Sequence, residues 1–174
     1  WYVPQNVEGL FQVINNSGQN VITRLDRMFD EGLYWHGNEP CHQIAYLYNK
    51  AGAPWKTQQR IHHILNTEYN DTPGGLSGND DAGQMSAWYM FSAIGFYPVC
   101  PATPYYYIGT PSFDKVTFNL ENGRKFEIVA EGVDDENFYI QQVDLNGKSG
   151  YYLSHDDLLK GGKLSFRMGN TPKY

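Results

Sequence analysis

The sequence predicts an α+β protein: a run of helices, read here as part of a helical barrel or toroid, followed by a small antiparallel β region. Three observations carry this. Apolar residues recur at helical spacing up to about residue 101 and alternate after it. Prolines stand where helices begin and glycines where they end. An Asn-Gly pair separates two alternating runs in the second part, the usual mark of a tight hairpin. The boundary divides the 174 residues into a helical segment, 1–102, and a β segment, 103–174.

Residues 7–14 read as a short first helix. Val21, Ile22, Leu25, Met28 and Phe29 then form one apolar stripe that stops at Gly32. Pro40 is well placed to open a further helix, with Ile44, Leu47 and Tyr48 on one face and Gly52 at its end. Pro54 opens another, through Ile61, Ile64 and Leu65, until "NDTPGGLSGND" breaks it. The segment from Gly83 to Ile94 is apolar nearly all round and is expected to be buried on most sides. Long, polar, Gly-rich loops between these helices suit a toroid better than a tight bundle.

In the second part Val116, Phe118 and Leu120 alternate, then "ENGR", then Phe126 and Ile128. Asn122-Gly123 is the first predicted hairpin, both central residues taking positive φ, and Asn146-Gly147, after Tyr139–Leu145, is the second. Ser154 with Asp157 three residues on marks the N-terminus of a short helix, and Leu164, Phe166 and Met168 make a last strand.

Composition narrows the function. The formal net charge is −6 with no basic cluster, which argues against nucleic acid and against an anionic membrane surface. No apolar run is long enough to span a membrane. Trp1 is preceded by neither an initiator Met nor a signal peptide, so a piece of a longer polypeptide is expected. Two cysteines, Cys41 and Cys100, allow one bridge but require none. Aromatic residues reach 16%, with fourteen Tyr and four Trp, a supply of flat faces with polar edges that suits either a Tyr-rich core or stacking on sugar rings.

The chemistry-bearing groups fall in two loops of the helical part, "YWHGNEPCH" (34–42) and "GNDDAGQMSAWYMF" (78–91). Both place carboxylates beside a helix N-terminus, where free N–H groups and the helix dipole favour negative charge. Capping explains any one of these residues. Two loops that each join an amide to a carboxylate, Asn38-Glu39 and Asn79-Asp80-Asp81, also suit a hard cation such as calcium, although the spacing is not that of an EF-hand. Paired carboxylates suit glycoside hydrolysis as well. His36 and His42 flank Glu39 and are candidates for the same pocket, whereas His62 and His63 lie mid-helix and read as structural. Gln84 is a candidate polar contact at the helix mouth, and Trp88, one turn on, is either core or a sugar platform.

"GNEPCHQIAYLYNKAGAPWKTQ" and "GLSGNDDAGQMSAWYMFSAIGFYPVCP" resemble two signature stretches of glycoside hydrolase family 92, and "WYVPQNVEGL" resembles the segment after a third. The resemblance is specific from residue 1 to about 110 and looser over the β part. It implies a calcium-dependent, exo-acting, inverting α-mannosidase with an N-terminal β-sandwich and an (α/α)₆ barrel. By that resemblance Asp81 is the catalytic base, with Asp80 beside it, and Asn38, Glu39 and Asp81 contribute to Ca²⁺ binding; Gln84, His36 and Trp88 remain the residue-level candidates for substrate contact. Some members carry Asp where this chain has Asn79. The family's general acid is a Glu that would lie a few residues before Trp1, so the isolated chain is expected to be inactive. The implied partners are a mannose-containing glycan, the N-terminal sandwich and the rest of the barrel, in a periplasmic or secreted setting. A non-catalytic carbohydrate-binding module, motivated by Trp35, Trp55, Trp88 and the Tyr run 105–107, and a helical-barrel hydrolase of another sugar are the alternatives.

Overall fold

The computed structural model describes residues 1–147 and 150–173. Its helices follow from local signals. Helix α1, Val7–Asn16, starts where the Asn6 side chain accepts from the Gly9 N–H at 2.9 Å. Helix α2, Val21–Asp30, starts where Asn20 accepts from the Thr23 N–H at 3.0 Å. Each side chain satisfies one of the N–H groups that a helix start leaves open.

The segment opened by Pro40 is not one helix. It is a 3₁₀ turn at Glu39–Cys41, a second at Ile44–Tyr46, and only then a single α turn, α3, at Leu47–Lys50. The tighter winding carries Ile44, Ala45, Tyr46, Leu47 and Tyr48 in succession into the core. A regular helix would present only about half of a five-residue run to one side.

Helix α4, Pro54–Thr67, has Pro at its first position, and α5, Gln84–Ile94, ends at Gly95 in the left-handed region. Only one side of α5 is buried, through Met85, Trp88, Ser92 and Ala93; Met90, 57% exposed, and Tyr89 face outward. That differs from the burial on most sides that its composition led us to expect.

The β part comprises β1 (Phe96–Tyr97), β2 (Tyr105–Ile108), β3 (Lys115–Asn119), β4 (Lys125–Glu131), β5 (Tyr139–Leu145), β6 (Tyr152–Ser154) and β7 (Gly162–Gly169), with α6 (His155–Leu159) before the last. The Ser154 hydroxyl accepts from the Asp157 N–H at 3.1 Å and starts α6 as predicted. The strands form two sheets, ordered β1-β2-β6 and β3-β4-β7-β5.

The second sheet is mixed, which corrects the antiparallel expectation: β4 and β7 run parallel, with Ile128 opposite Leu164. Parallel neighbours need a long crossover, and here β5, β6 and α6 supply it. The turn at Asn122-Gly123 does close a hairpin, β3 to β4. Only Gly123 has positive φ, however, and Gly123 N–H donates to Leu120 O, so the loop is a three-residue turn with a glycine bulge rather than a two-residue one. Asn146 and Gly147 both take positive φ, yet no hairpin follows. The chain leaves for the other sheet, where Leu153 of β6 pairs with Tyr106 of β2, and β5 is paired instead by β7.

Two apolar cores result. One is built by the helices around Leu25, Tyr46, Ile61 and Trp88; the other lies among Phe126, Ile128, Leu164 and Phe166, and Phe91 of α5 packs on both. Side-chain amides bind the two parts together: Asn49 donates to Ile108 O at 2.7 Å, and Gln58 accepts from the Ile140 N–H at 2.9 Å. His62 stacks on Phe138 with ring centres 4.0 Å apart, the structural role its mid-helix place suggested. Cys41 and Cys100 are both free thiols.

Candidate functional site

The two chemistry-bearing loops meet backbone to backbone. A Cβ on Gly37 would lie 2.7 Å from the Ser77 carbonyl oxygen, and one on Gly78 would lie 2.7 Å from Gly37 O. Neither approach tolerates a side chain. Gly78 also sits at φ +77, a conformation open to glycine and costly to most other residues. This seam draws the segment holding Glu39 against the segment holding Asp80 and Asp81.

The two adjacent aspartates then part company. Asp80 Oδ1 accepts from both the Ser86 N–H and the Ser86 hydroxyl, each at 2.9 Å, so it caps the first turn of α5. Asp81 makes no such bond. It opens a left-handed run, with φ +46 at Asp81, +57 at Ala82 and +92 at Gly83. A left-handed Ala costs roughly 1–2 kcal/mol, and such strain persists only where surrounding contacts enforce it. Here the enforcing contacts are Gln84 N–H to Asp81 O and Met85 N–H to Asp80 O, both 3.2 Å.

The run turns the Asp81 carboxylate onto Glu39, within hydrogen-bonding reach. Two carboxylates that close share one proton. The hydrogen bond from Asp81, helped by the backbone N–H of Glu39, holds Glu39 below its ordinary range. The same bond, then slight desolvation and the charges of Glu39 and Asp80, push Asp81 above its own. Both border a depression of about 420 Å³ whose wall includes Tyr2, Gln43, Gln84 and Tyr97. A larger hollow, about 840 Å³, lies beside Trp1, Arg24, Arg27 and Leu33. Its lining has no carboxylate, and its two arginines are tied to Gln19 and Glu31, so the chemistry points to the smaller one.

Behind the wall runs a buried polar chain. Tyr69 O–H donates to Met85 O at 3.1 Å, so it accepts from His36 Nε2–H at 2.7 Å, and His36 Nδ1 takes the Tyr34 O–H at 2.7 Å. His42 Nε2–H donates to His36 O at 3.0 Å, which leaves Nδ1 to accept from Gln84 Nε2 at 3.1 Å. Gln84 gives its other N–H to Tyr97 Oη at 3.2 Å. Its carbonyl oxygen is therefore the part of the amide left for the cavity. Burial, then the neighbouring His42, pushes His36 down to about 3, and burial lowers His42, so both rings are neutral at ordinary pH.

Glu39, Asp81 and Gln84 are thus brought together. Asn38 stands exposed at the start of the 39–41 turn, its side chain unused as a cap. Asp80 is engaged by α5. His36 and Trp88 are closed to water; Trp88 forms part of the cavity lining while its Nε1 donates to His42 O at 2.9 Å. Sequence reasoning missed Gln43 and Tyr97. Gln43 is 3% exposed, its Nε2 buried without a hydrogen-bond partner among the described residues, and one oxygen of Glu39 is buried likewise. An unpaired buried polar group costs about 1–3 kcal/mol. Gln43, a single amide ahead of the apolar run 44–48, carried no sequence signal of this burial.

Residues 1–170 match the glycosyl hydrolase family 92 catalytic domain. The chain belongs to this family. The family GH92 α-mannosidase BT3965 of Bacteroides thetaiotaomicron is 46% identical with a TM-score of 0.91, covering 100% of this chain and 24% of that one. The family GH92 inverting mannosidase BT2199 of the same organism is 38% identical with a TM-score of 0.89, covering 99% of this chain and 27% of that one. An uncharacterized secreted glycosidase of Arthroderma benhamiae is 31% identical over 97% of this chain and 22% of its own length. The chain thus spans about a quarter of the length of these relatives. No helix among the described residues is long and apolar enough to cross a membrane.

Proposed function

We propose that this chain is the C-terminal part of a secreted or periplasmic, exo-acting α-mannosidase that removes terminal mannose from glycans by calcium-assisted, inverting hydrolysis. The observation that carries the reading is the contact between Glu39 and Asp81 in a cavity of a family 92 domain. Segment 1–102 contributes helices to an (α/α)₆ barrel, and 103–174 supports them.

Asp81 is the base. Its raised proton affinity makes it the better of the two carboxylates to accept a proton from attacking water. Glu39 is not the matching acid. The acid and base of a glycosidase stand about 5–5.5 Å apart for retention and about 6.5–9.5 Å for inversion. Two carboxyls in hydrogen-bond contact fit neither, which agrees with the family resemblance in placing the acid before Trp1. Gln84, its N–H groups held by His42 and Tyr97, offers an oxygen to a sugar hydroxyl. Asp80 fixes the helix mouth, while His36 acts from beneath the wall and Trp88 forms part of it.

A hard cation fits the donor set in kind. Glu39 and Asp81 are carboxylates pressed together, with the amide of Asn38 alongside. It does not fit in number from this chain alone. Calcium takes about six to eight oxygens, and among the described residues no group of three or more His, Cys, Asp or Glu is arranged to hold a metal. The remaining ligands would be water, substrate hydroxyls and the rest of the enzyme. When bound, the ion would supply the charge that ionises the pair and orients hydroxyls of the terminal sugar.

The test is Asp81→Asn in the complete enzyme. Turnover should fall about 10²–10⁴-fold while mannose binding stays within a few-fold. Retained hydrolysis removes Asp81 from the base role, and release of glucose instead of mannose overturns the substrate assignment. Mannosidase turnover by residues 1–174 alone would refute the division of acid and base between two segments.

A further inference from the structure

We propose that Gln43 is a substrate-reading residue whose side-chain amide donates to a hydroxyl oxygen of the bound sugar. The proposal rests on the mannosidase reading for the identity of that sugar and on the structure for the donor itself.

The side chain is 3% exposed, and its Nε2 is buried with no acceptor among the described residues. Buried polar groups in folded proteins are nearly always paired, and an unpaired one needs an explanation. Gln43 follows Glu39 by four residues, at the junction between the two 3₁₀ turns, and both border the cavity. Most other polar groups on that wall are acceptors, with the Tyr2 and Tyr97 hydroxyls able to act either way. Glu39 and Asp81 are carboxylates, and Gln84 has given both N–H groups away. Gln43 is thus an unpaired amide donor on a wall otherwise rich in acceptors.

One atom type satisfies such a wall. A hydroxyl or water oxygen accepts from Gln43 and passes its own hydrogen to a carboxylate or to the Gln84 oxygen. A sugar hydroxyl and an ordered water share this chemistry, and the test must separate them. A site built to hydrogen-bond a hydroxyl rejects analogues that lack it, because its own groups are then left unpaired.

The experiment compares the complete enzyme with its Gln43→Leu variant. Calorimetry gives the affinities for mannose and its 2-, 3-, 4- and 6-deoxy analogues, and a thermal scan gives stability. Leu matches the volume and removes the amide. We expect mannose binding to weaken at least tenfold and the wild-type discrimination against one deoxy position to disappear. The melting temperature should hold or rise, since an unpaired buried donor is gone. A merely structural Gln43 would lower the melting temperature and leave the deoxy pattern unchanged. That outcome, which is also what an ordered water predicts, overturns the proposal. If the wild type prefers another monosaccharide, the mannosidase reading fails and Gln43 is judged on that sugar's deoxy series. If the wild type binds no sugar, both fall.

Discussion

Gly37→Ala isolates the seam that builds the site. The added Cβ would stand 2.7 Å from the Ser77 carbonyl oxygen, 2.9 Å from its carbonyl carbon and 2.7 Å from a ring carbon of Trp35. Trp35 is 57% exposed and can swing away, but Ser77 presents main chain. Ordinary contact begins near 3.4 Å, so the loop carrying Asp81 must withdraw by about 0.7 Å. The φ of Gly37 lies outside the left-handed region, so the effect is steric and not a matter of backbone strain. Overpacking of this kind costs roughly 1–3 kcal/mol. The larger consequence concerns geometry: a withdrawal of that size would weaken or break the hydrogen bond between Glu39 and Asp81. Misplacement on the order of 1 Å costs about 10²-fold in rate. The assay is urea unfolding of the chain together with turnover of the complete enzyme. The control is Gly74→Ala, whose Cβ would meet nothing within 4 Å. Equal stability and equal turnover for the two variants would refute the close-approach argument.

Asp80→Ala should cost about 1 kcal/mol, the usual loss for a helix cap, and leave turnover largely intact, as urea unfolding and steady-state kinetics will show; a collapse of turnover with stability unchanged contradicts the capping role. Acid should destabilise the fold through His36. Its pKa is about 3 when folded and 6.5 ordinarily, so below pH 6.5 the unfolded chain binds the extra proton and stability falls as pH falls, down to about 3. Between pH 6.5 and 4.5 this linkage removes about 2 kcal/mol, with a further loss in the same direction from His42. Unfolding midpoints that stay flat across that interval contradict the neutral, buried ring.

Much of the fold was legible because local chemistry decided it. Asn122-Gly123, Ser154 with Asp157, and the alternation of Leu164, Phe166 and Met168 each formed the element they signal. What was not legible depended on distant partners. The Pro40 segment winds as 3₁₀ turns to bury five consecutive residues, a demand set by the core around it. Asn146-Gly147 supplies a turn, but pairing chose β7 over β6 for the neighbour of β5. Parallel pairing of β4 with β7 is a long-range event that no short window contains.

The site divides the same way. Two loops rich in amides and carboxylates stood out at once, and adjacent Asp80 and Asp81 posed the choice between a cap and a functional group. The backbone answers it, since a left-handed run separates their directions, and φ cannot be read from "DDAG" alone. Gln43 drew no notice because a glutamine within an apolar stretch looks like an ordinary surface residue until its burial is known.

The central claim is that the Gly37–Gly78 seam makes Glu39 and Asp81 one acid pair. A titration of their side-chain carboxyl carbons by NMR, in metal-free buffer, tests it most directly. The account predicts two linked steps, Glu39 losing its proton below its ordinary 4.5 and Asp81 keeping its own above 3.8, each following the shift of the other. Two independent curves at the ordinary values would contradict it and reduce Asp81 to a solvated carboxylate on a loop.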